Sequence, residues 1–215
     1  MNAVPELQTL LVFTAAALLM NISPGPSNFY VMARSLAQGP GAGLLAALGL
    51  AAGSLVHVGA AALGLSVLFV YSPVAYTALK LVGAGYLVYL GLRYWLAKPV
   101  LPEQSGARKP KPVPKLLAES ALVEILNPKT ALFFLAFLPQ FVDPAAGPVA
   151  PQVLLLGAIV TVTALPCDLL VAFSSGAAAR LLVASASLQR LQARISGTVL
   201  IGLGVFVALA KRPAD

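Results

Sequence analysis

The stretch Asn21-Ile-Ser-Pro-Gly-Pro-Ser-Asn28, NISPGPSN, decides how this chain is read. Fourteen mostly apolar residues, Leu7–Met20, precede it, and another apolar stretch follows. In a soluble protein, two prolines, a glycine and four polar residues at this point would mark a surface loop. The surrounding composition excludes that reading. Of 215 residues, 59% are hydrophobic and 10% charged, with a mean hydropathy of +0.90, whereas soluble domains carry about 25% charged residues. The chain reads as an integral membrane protein.

Apolar blocks fall at Leu7–Leu36, Gly41–Tyr71, Ala75–Leu96, Leu116–Phe141, Val149–Leu182 and Leu191–Leu209. Each is long enough for the ~20 residues that cross a ~30 Å hydrocarbon core. Period-2 alternation is absent, the blocks are rich in Ala, Leu and Gly, and backbone in lipid must satisfy its own hydrogen bonds. The expected fold is all-α with six transmembrane helices. Met1–Thr9 lacks a basic n-region and carries Glu6, so the first span is expected to stay rather than be cleaved. The single Cys167 excludes an internal disulfide and a dithiol redox pair.

The formal charge of +7 is explained by where the basic residues sit. Lys98, Arg108, Lys109, Lys111 and Lys115 crowd one link, Arg180, Arg190 and Arg194 flank another, and Arg34 follows the first span. The links around Ser72-Pro73 and Asp143–Ala150 hold no Lys or Arg. The positive-inside rule then puts the basic links in the cytoplasm and both termini outside, with Lys211 and Arg212 as dissenting charges. Anionic lipid is the partner these charges need, and no nucleic acid is implied.

Residues 97–114, AKPVLPEQSGARKPKPVP, read as an extended cytoplasmic linker between halves 1–96 and 115–215. Each half holds three spans. An odd number means that a second half built like the first enters from the opposite side, which gives two inverted three-helix repeats. A second break, Glu124-Ile-Leu-Asn127-Pro128-Lys129-Thr130, interrupts the opening span of the second half as NISPGPSN interrupts that of the first. Further along, His57 and Asp168 fall in the second spans, 36 and 41 positions after Asn21 and Asn127 respectively.

Proline removes a helix N–H and glycine tolerates unusual dihedrals, so Pro24-Gly25-Pro26 and Pro128 should free backbone groups within the spans. Freed groups are tolerated only where protein or a wet cavity satisfies them, and half-helices starting there point their positive ends at anionic groups. The two breaks are expected to meet in one central site built on Asn21, Ser23, Pro24, Gly25, Pro26, Asn28, Asn127, Pro128 and Lys129. A packing kink is the alternative for either proline by itself.

Four stretches carry a family likeness: Asn21–His57, Leu79–Gly91, LNPKTALFFLAFLPQFV at 126–142, and Cys167-Asp168 followed by ISGTVLIGLGV. Together they resemble the LysE/RhtB amino-acid exporters in order and over nearly the whole chain. The resemblance implies a six-helix protein of the bacterial inner membrane that moves amino acids or close relatives out of the cytoplasm in exchange for protons, with no cofactor. It also implies pathway roles for Pro24, Gly25, Pro26, Asn127, Pro128 and Lys129. Glu124 departs from the usual uncharged residue before NPK.

An intramembrane carboxylate costs at least ~2.5 kcal/mol to insert, so Asp168 is expected to line a pathway or to pair. It can hold a substrate ammonium, take up the coupling proton, or form a packing ion pair with Lys129. Lys129 can hold a substrate carboxylate. Glu124 lies five positions earlier, about 140° around a continuous helix, so the two share a face only if the Asn-Pro break rotates one. Glu124 lines the cytoplasmic mouth or is solvated near the membrane surface. His57, the only histidine, suits either proton relay or hydrogen-bonded packing.

Lys80 is expected to snorkel, Tyr71, Tyr76, Tyr94 and Trp95 to form an interfacial belt, and Tyr30 to pack near the break. The spacings Gly39/Gly43 and Gly49/Gly53 allow close helix approach within the chain or in a homodimer. No HExxH, GxSxG or paired catalytic aspartates argue for an enzyme. An exporter of a metal cation or other small cation, using Asp168, Glu124, His57 and the asparagine carbonyls, is the rival reading. Lys129 in a cation pathway argues against it, while paired opposite charges suit a zwitterion.

Overall fold

The computed structural model describes residues 5–71, 73–97, 111–174 and 185–210, with side chains 66–73 also outside the description. Most of the linker, Arg180, Lys211, Arg212, Ser72 and the side chains of Tyr71 and Pro73 therefore lie outside the described residues. The helices run α1 Leu7–Ile22, α2 Pro26–Gln38, α3 Pro40–Tyr71, α4 Pro73–Trp95, α5 Val113–Ile125, α6 Pro128–Leu132, α7 Val149–Ser174 and α8 Ala186–Leu209. A π-helical turn, Phe133–Phe137, and a 3-10 turn, Leu138–Phe141, extend α6.

Within α3, α4, α7 and α8 lie four segments long and apolar enough to cross a membrane. The pairs α1 with α2 and α5 with the stretch Pro128–Phe141 each pass as one span bent by 48° and 47°, which makes six among the described residues. Side chains such as Leu63, Val74 and Val82, at 76%, 80% and 71% exposed, form the apolar outer surface that a bilayer covers.

α7 stays helical through Pro166, and α8 starts at the cap Ser185, before the expected Leu191. Ser185 Oγ accepts from Leu188 N at 3.3 Å, so the polar turn Ala186–Arg190 is helical despite its composition.

α3 and α7 run antiparallel at the centre. Ser54 and Thr161 hydroxyls are hydrogen-bonded at 2.9 Å, a Cβ on Gly157 would lie 2.8 Å from Val58, and one on Gly43 would lie 2.9 Å from Ala172. α4 and α8 pair the same way, with Gly91 against Gly197 and Gly204 against Ala84. α3 also packs on α5, and α1 on α7, so the second span of each half lies against the first span of the other. Gly49 and Gly53 sit where α3 meets Leu117, Ser120 and Ala121 of α5: the small-residue spacing serves contacts within the chain.

Two apolar clusters lie on either side of the breaks. The larger includes Phe13, Phe133, Phe137 and Leu138, with Phe141 packed against it. The Phe13 ring lies tilted against Phe133 at 5.8 Å and edge-to-face with Phe141 at 5.1 Å, and Phe137 meets Phe206 at 5.4 Å. The smaller cluster is Val31, Ala46, Leu50 and Ala172.

Tyr76 corrects the belt expectation. It is 2% exposed, and its hydroxyl accepts from Gln140 Nε2 at 2.9 Å, a partner that makes burial of the phenol affordable. Trp95, 46% exposed, and Tyr94 remain at the end of α4. Lys80 Nζ donates to the Ala210 carbonyl at the end of α8, a helix terminus with free acceptors. Tyr30 packs on the smaller cluster beneath the Arg34 guanidinium, 4.8 Å from its ring centroid.

Candidate functional site

In an α-helix each carbonyl accepts from the N–H four residues on. Pro24 has no N–H, so the Met20 carbonyl loses its donor; Lys129 Nζ replaces it at 3.0 Å and also donates to the Ser23 carbonyl at 2.7 Å. Pro128 has no N–H either, which removes the α-helical donor of the Glu124 carbonyl. There, His57 Nε2 donates at 3.0 Å, joined by the tight-turn bond from Asn127 N at 3.0 Å. A carbonyl only accepts, so Nε2 carries the hydrogen. Each break is thus satisfied by a nitrogen from the opposite half of the chain.

The rest of each break is held by short local bonds. Gly25 N donates to Asn28 Oδ1 at 3.1 Å, and Pro26 opens α2, where a missing N–H costs nothing. The Pro24 carbonyl accepts from Ser196 Oγ of α8 at 2.9 Å. Asn127 caps α6, its Oδ1 accepting from Lys129 N at 3.0 Å. Gly25 has an ordinary extended backbone, and what its missing side chain provides is space: a Cβ there would stand 3.0 Å from Lys129 Nζ. Ser23 is buried, and its hydroxyl has no hydrogen-bond partner among the described residues.

Between the breaks lies a cavity of about 30 Å³ lined by Met20, Asn21, Ser27, Asn28, Leu50, Ala51, Ser54, Glu124, Asn127, Lys129, Thr130, Ala164, Leu165 and Asp168. A single water needs roughly 10–15 Å³ on this measure, so the space holds water and is too small for an amino acid without widening. Six of the expected site residues line it: Asn21, Asn28, Glu124, Asn127, Lys129 and Asp168. Ser23, Pro24, Gly25, Pro26 and Pro128 form the backbone frame around it, and His57 stands behind the second break, stacked on Phe134 at 5.7 Å.

Glu124 is not solvated at the surface; it is 8% exposed and accepts from Ser27 Oγ, from Asn127 Nδ2 at 3.3 Å and from Thr130 Oγ1 at 2.8 Å. Its carboxylate ties one break to the other. The 47° bend at Asn127-Pro128 lets it share the cavity with Lys129. Asp168, 7% exposed, accepts from Asn28 Nδ2 at 3.3 Å. Of the three roles open to Asp168, the packing ion pair with Lys129 is not formed: the ammonium is held by the Met20 and Ser23 carbonyls instead. Among the described residues no three His, Cys, Asp or Glu side chains converge as metal ligands.

Several contributors are absent from the sequence-based expectation. Ser27, Ser54, Thr130, Thr161, Thr163 and Ser196 make the bonds that join helices here; Asn21 Nδ2, for instance, reaches Thr163 Oγ1 at 3.0 Å and the Val160 carbonyl at 3.2 Å. Their signal was a hydroxyl recurring on one face of an apolar helix, as in Ser54 with His57 or Thr161 with Asp168.

Two interrupted spans around a cavity of buried opposite charges define a multi-pass membrane transport protein. The family model described as LysE type translocator matches residues 18–211, and the chain belongs to that family. Members of this family are transporters rather than enzymes. Among its relatives, the uncharacterized membrane protein YrhP of Bacillus subtilis is 32% identical over 95% of this chain and 100% of its own. A homoserine/homoserine lactone efflux protein of Salmonella typhi is 31% identical over 71% of each chain. A leucine efflux protein of Klebsiella pneumoniae is 32% identical over 62% of this chain and 63% of its own. No solved structure matches the chain.

Proposed function

We propose that this protein exports amino acids or close derivatives from the cytoplasm by proton antiport, with the cavity between the breaks as the substrate site. The observation that carries the reading is the placement of one ammonium, Lys129, and one carboxylate with spare acceptor capacity, Asp168, in the same buried cavity without an ion pair between them. A zwitterion brings the complementary pair. The names of the leucine and homoserine efflux relatives point the same way.

Proton coupling is assigned to Asp168: protonated, it releases a substrate ammonium, and ionised, it holds one. No cofactor takes part. The same reading puts the protein in the bacterial inner membrane, the 97–114 linker in the cytoplasm and both termini outside. The antiparallel pairing of α3 with α7 and of α4 with α8 supports two inverted repeats, 1–96 and 115–215. A homodimer is compatible with the exposed Gly64 and Gly202, where an added Cβ would meet nothing within 4 Å.

Proteoliposomes loaded with a panel of amino acids under an imposed pH gradient test this. Gradient-dependent counter-movement of at least one amino acid is expected. Flux of a divalent metal with none of any amino acid would overturn the proposal.

A further inference from the structure

Resting on the export reading, we infer that the cavity selects amino acids with a neutral aliphatic side chain, and that Ala51 and Ala164 set the size it admits. The argument starts from which polar groups are spent. Asn21 donates to α7, Ser54 bonds Thr161, and Thr130 bonds Glu124. Asn127 caps α6 with its oxygen and gives its amide to Ser27 and Glu124. Asn28 accepts from Gly25 N and donates to Asp168. Both oxygens of Glu124 accept, three donors in all.

What remains is one of the three N–H donors of Lys129, the free acceptor capacity of Asp168, the Asn21 side-chain oxygen and the second N–H of the Asn28 amide, and of these only the first two are charged. One donor and one acceptor of opposite charge fit the α-carboxylate and α-ammonium of an amino acid. The other charged group of the lining, Glu124, already takes three donors, so a charged side chain finds no free counter-charge. A basic side chain would have to share Glu124 with its three donors or compete with the α-ammonium for Asp168, and an acidic one would compete with the α-carboxylate for Lys129.

The rest of the lining is apolar: Met20 from α1, Leu50 and Ala51 from α3, Ala164 and Leu165 from α7. These residues carry no side-chain donor or acceptor that a substrate hydroxyl or amide could use. The α3 pair lies one turn before Ser54 and the α7 pair one turn after Thr161, and the Ser54–Thr161 bond fixes the two helices antiparallel. Both pairs therefore lie on the same side of that bond, and Asp168 follows Ala164 by one further turn. At Ala51 and Ala164 the wall consists of single methyl groups, so added bulk there shortens the space for a side chain.

The test measures gradient-driven export of leucine, alanine, lysine, glutamate and threonine by wild type, Ala51→Leu and Ala164→Leu in proteoliposomes. Leucine is expected to be favoured over lysine, glutamate and threonine in wild type. Each leucine variant is expected to lower the leucine-to-alanine flux ratio about tenfold, the discrimination that a methylene or two commands in an apolar pocket. Ala51→Ser and Ala164→Ser, which add a hydroxyl with little volume, are expected to raise threonine flux relative to leucine and serve if the leucine variants fail to fold. Export of amino acids with lysine or glutamate favoured, or with unchanged ratios in the variants that transport, would overturn the side-chain assignment and leave the export reading standing. No amino-acid flux in wild type would overturn both.

Discussion

His57 and Lys129 do the same work at two different breaks. Each supplies a hydrogen to a carbonyl that a proline four residues on leaves without its helical donor, the Glu124 carbonyl for His57 and the Met20 carbonyl for Lys129. If the imidazole serves the backbone rather than a proton path, His57→Gln, which keeps an N–H donor, should retain gradient-driven transport. His57→Leu should lower stability in detergent by about 1–3 kcal/mol, the cost of an under-satisfied buried group. Loss of proton coupling in His57→Gln with unchanged stability would return the residue to a relay role. Glu124 obeys the same logic from the acceptor side. Glu124→Gln places an amide NH2 against the donors that one carboxylate oxygen now receives, and a thermal melt should show a loss of similar size. Asp168 has a different role, since among the described residues its carboxylate accepts only from Asn28. Asp168→Asn is expected to abolish uphill export while sparing amino-acid exchange, and full accumulation by that variant would remove Asp168 from coupling.

At the scale of elements, the breaks were legible in the sequence because proline acts locally: Pro24, Pro26 and Pro128 lack an N–H and fix φ whatever packs around them. The partners of the freed groups were not legible. Lys129 and His57 reach them across 109 and 67 positions, and although polar residues sharing one face of an apolar helix can be picked out, nothing local marks which distant carbonyl each one serves. Glu124 shows the difficulty. Helix geometry puts it about 140° from Lys129, and only the 47° bend brings both to one cavity. Tyr76 is another case, since its position near a span end suggests the interface, whereas the phenol is buried with the Gln140 amide as a hydrogen-bond partner. The cap at the second break yields its own prediction. Asn127→Ala removes the acceptor for Lys129 N and the donor to Glu124, and should cost about 0.5–2 kcal/mol of stability with loss of transport. Wild-type transport in Asn127→Ala would show that the second break needs no cap.

Across the whole molecule, the cavity is closed unequally on its two sides. The side of Phe13 and Phe141 carries the large aromatic cluster. The other carries the small cluster around Val31 and Leu50, and an ionic tie in which Glu119 of α5 meets Arg34 of α2 at 3.3 Å and Lys111 near its own helix start. With a volume near 30 Å³, the cavity must widen before a substrate enters, and the thinner seal is the side that the charge pattern assigns to the cytoplasm. The six-span plan and this assignment were both read from composition, because hydropathy and loop charge are averages over many residues. A cysteine placed by Ala97→Cys in a Cys167→Ala background should react with a membrane-impermeant thiol reagent only from the cytoplasmic face, and reaction only from outside would reverse the orientation. The central claim is that two undone helices enclose a site a solute reaches. Its most direct measurement is the reactivity of Ala51→Cys, in the same background, toward a small water-soluble thiol reagent, with and without transported amino acid. Modification that slows several-fold as amino acid is added is predicted; a thiol that never reacts, or reacts at the same rate whatever amino acid is present, would contradict the account.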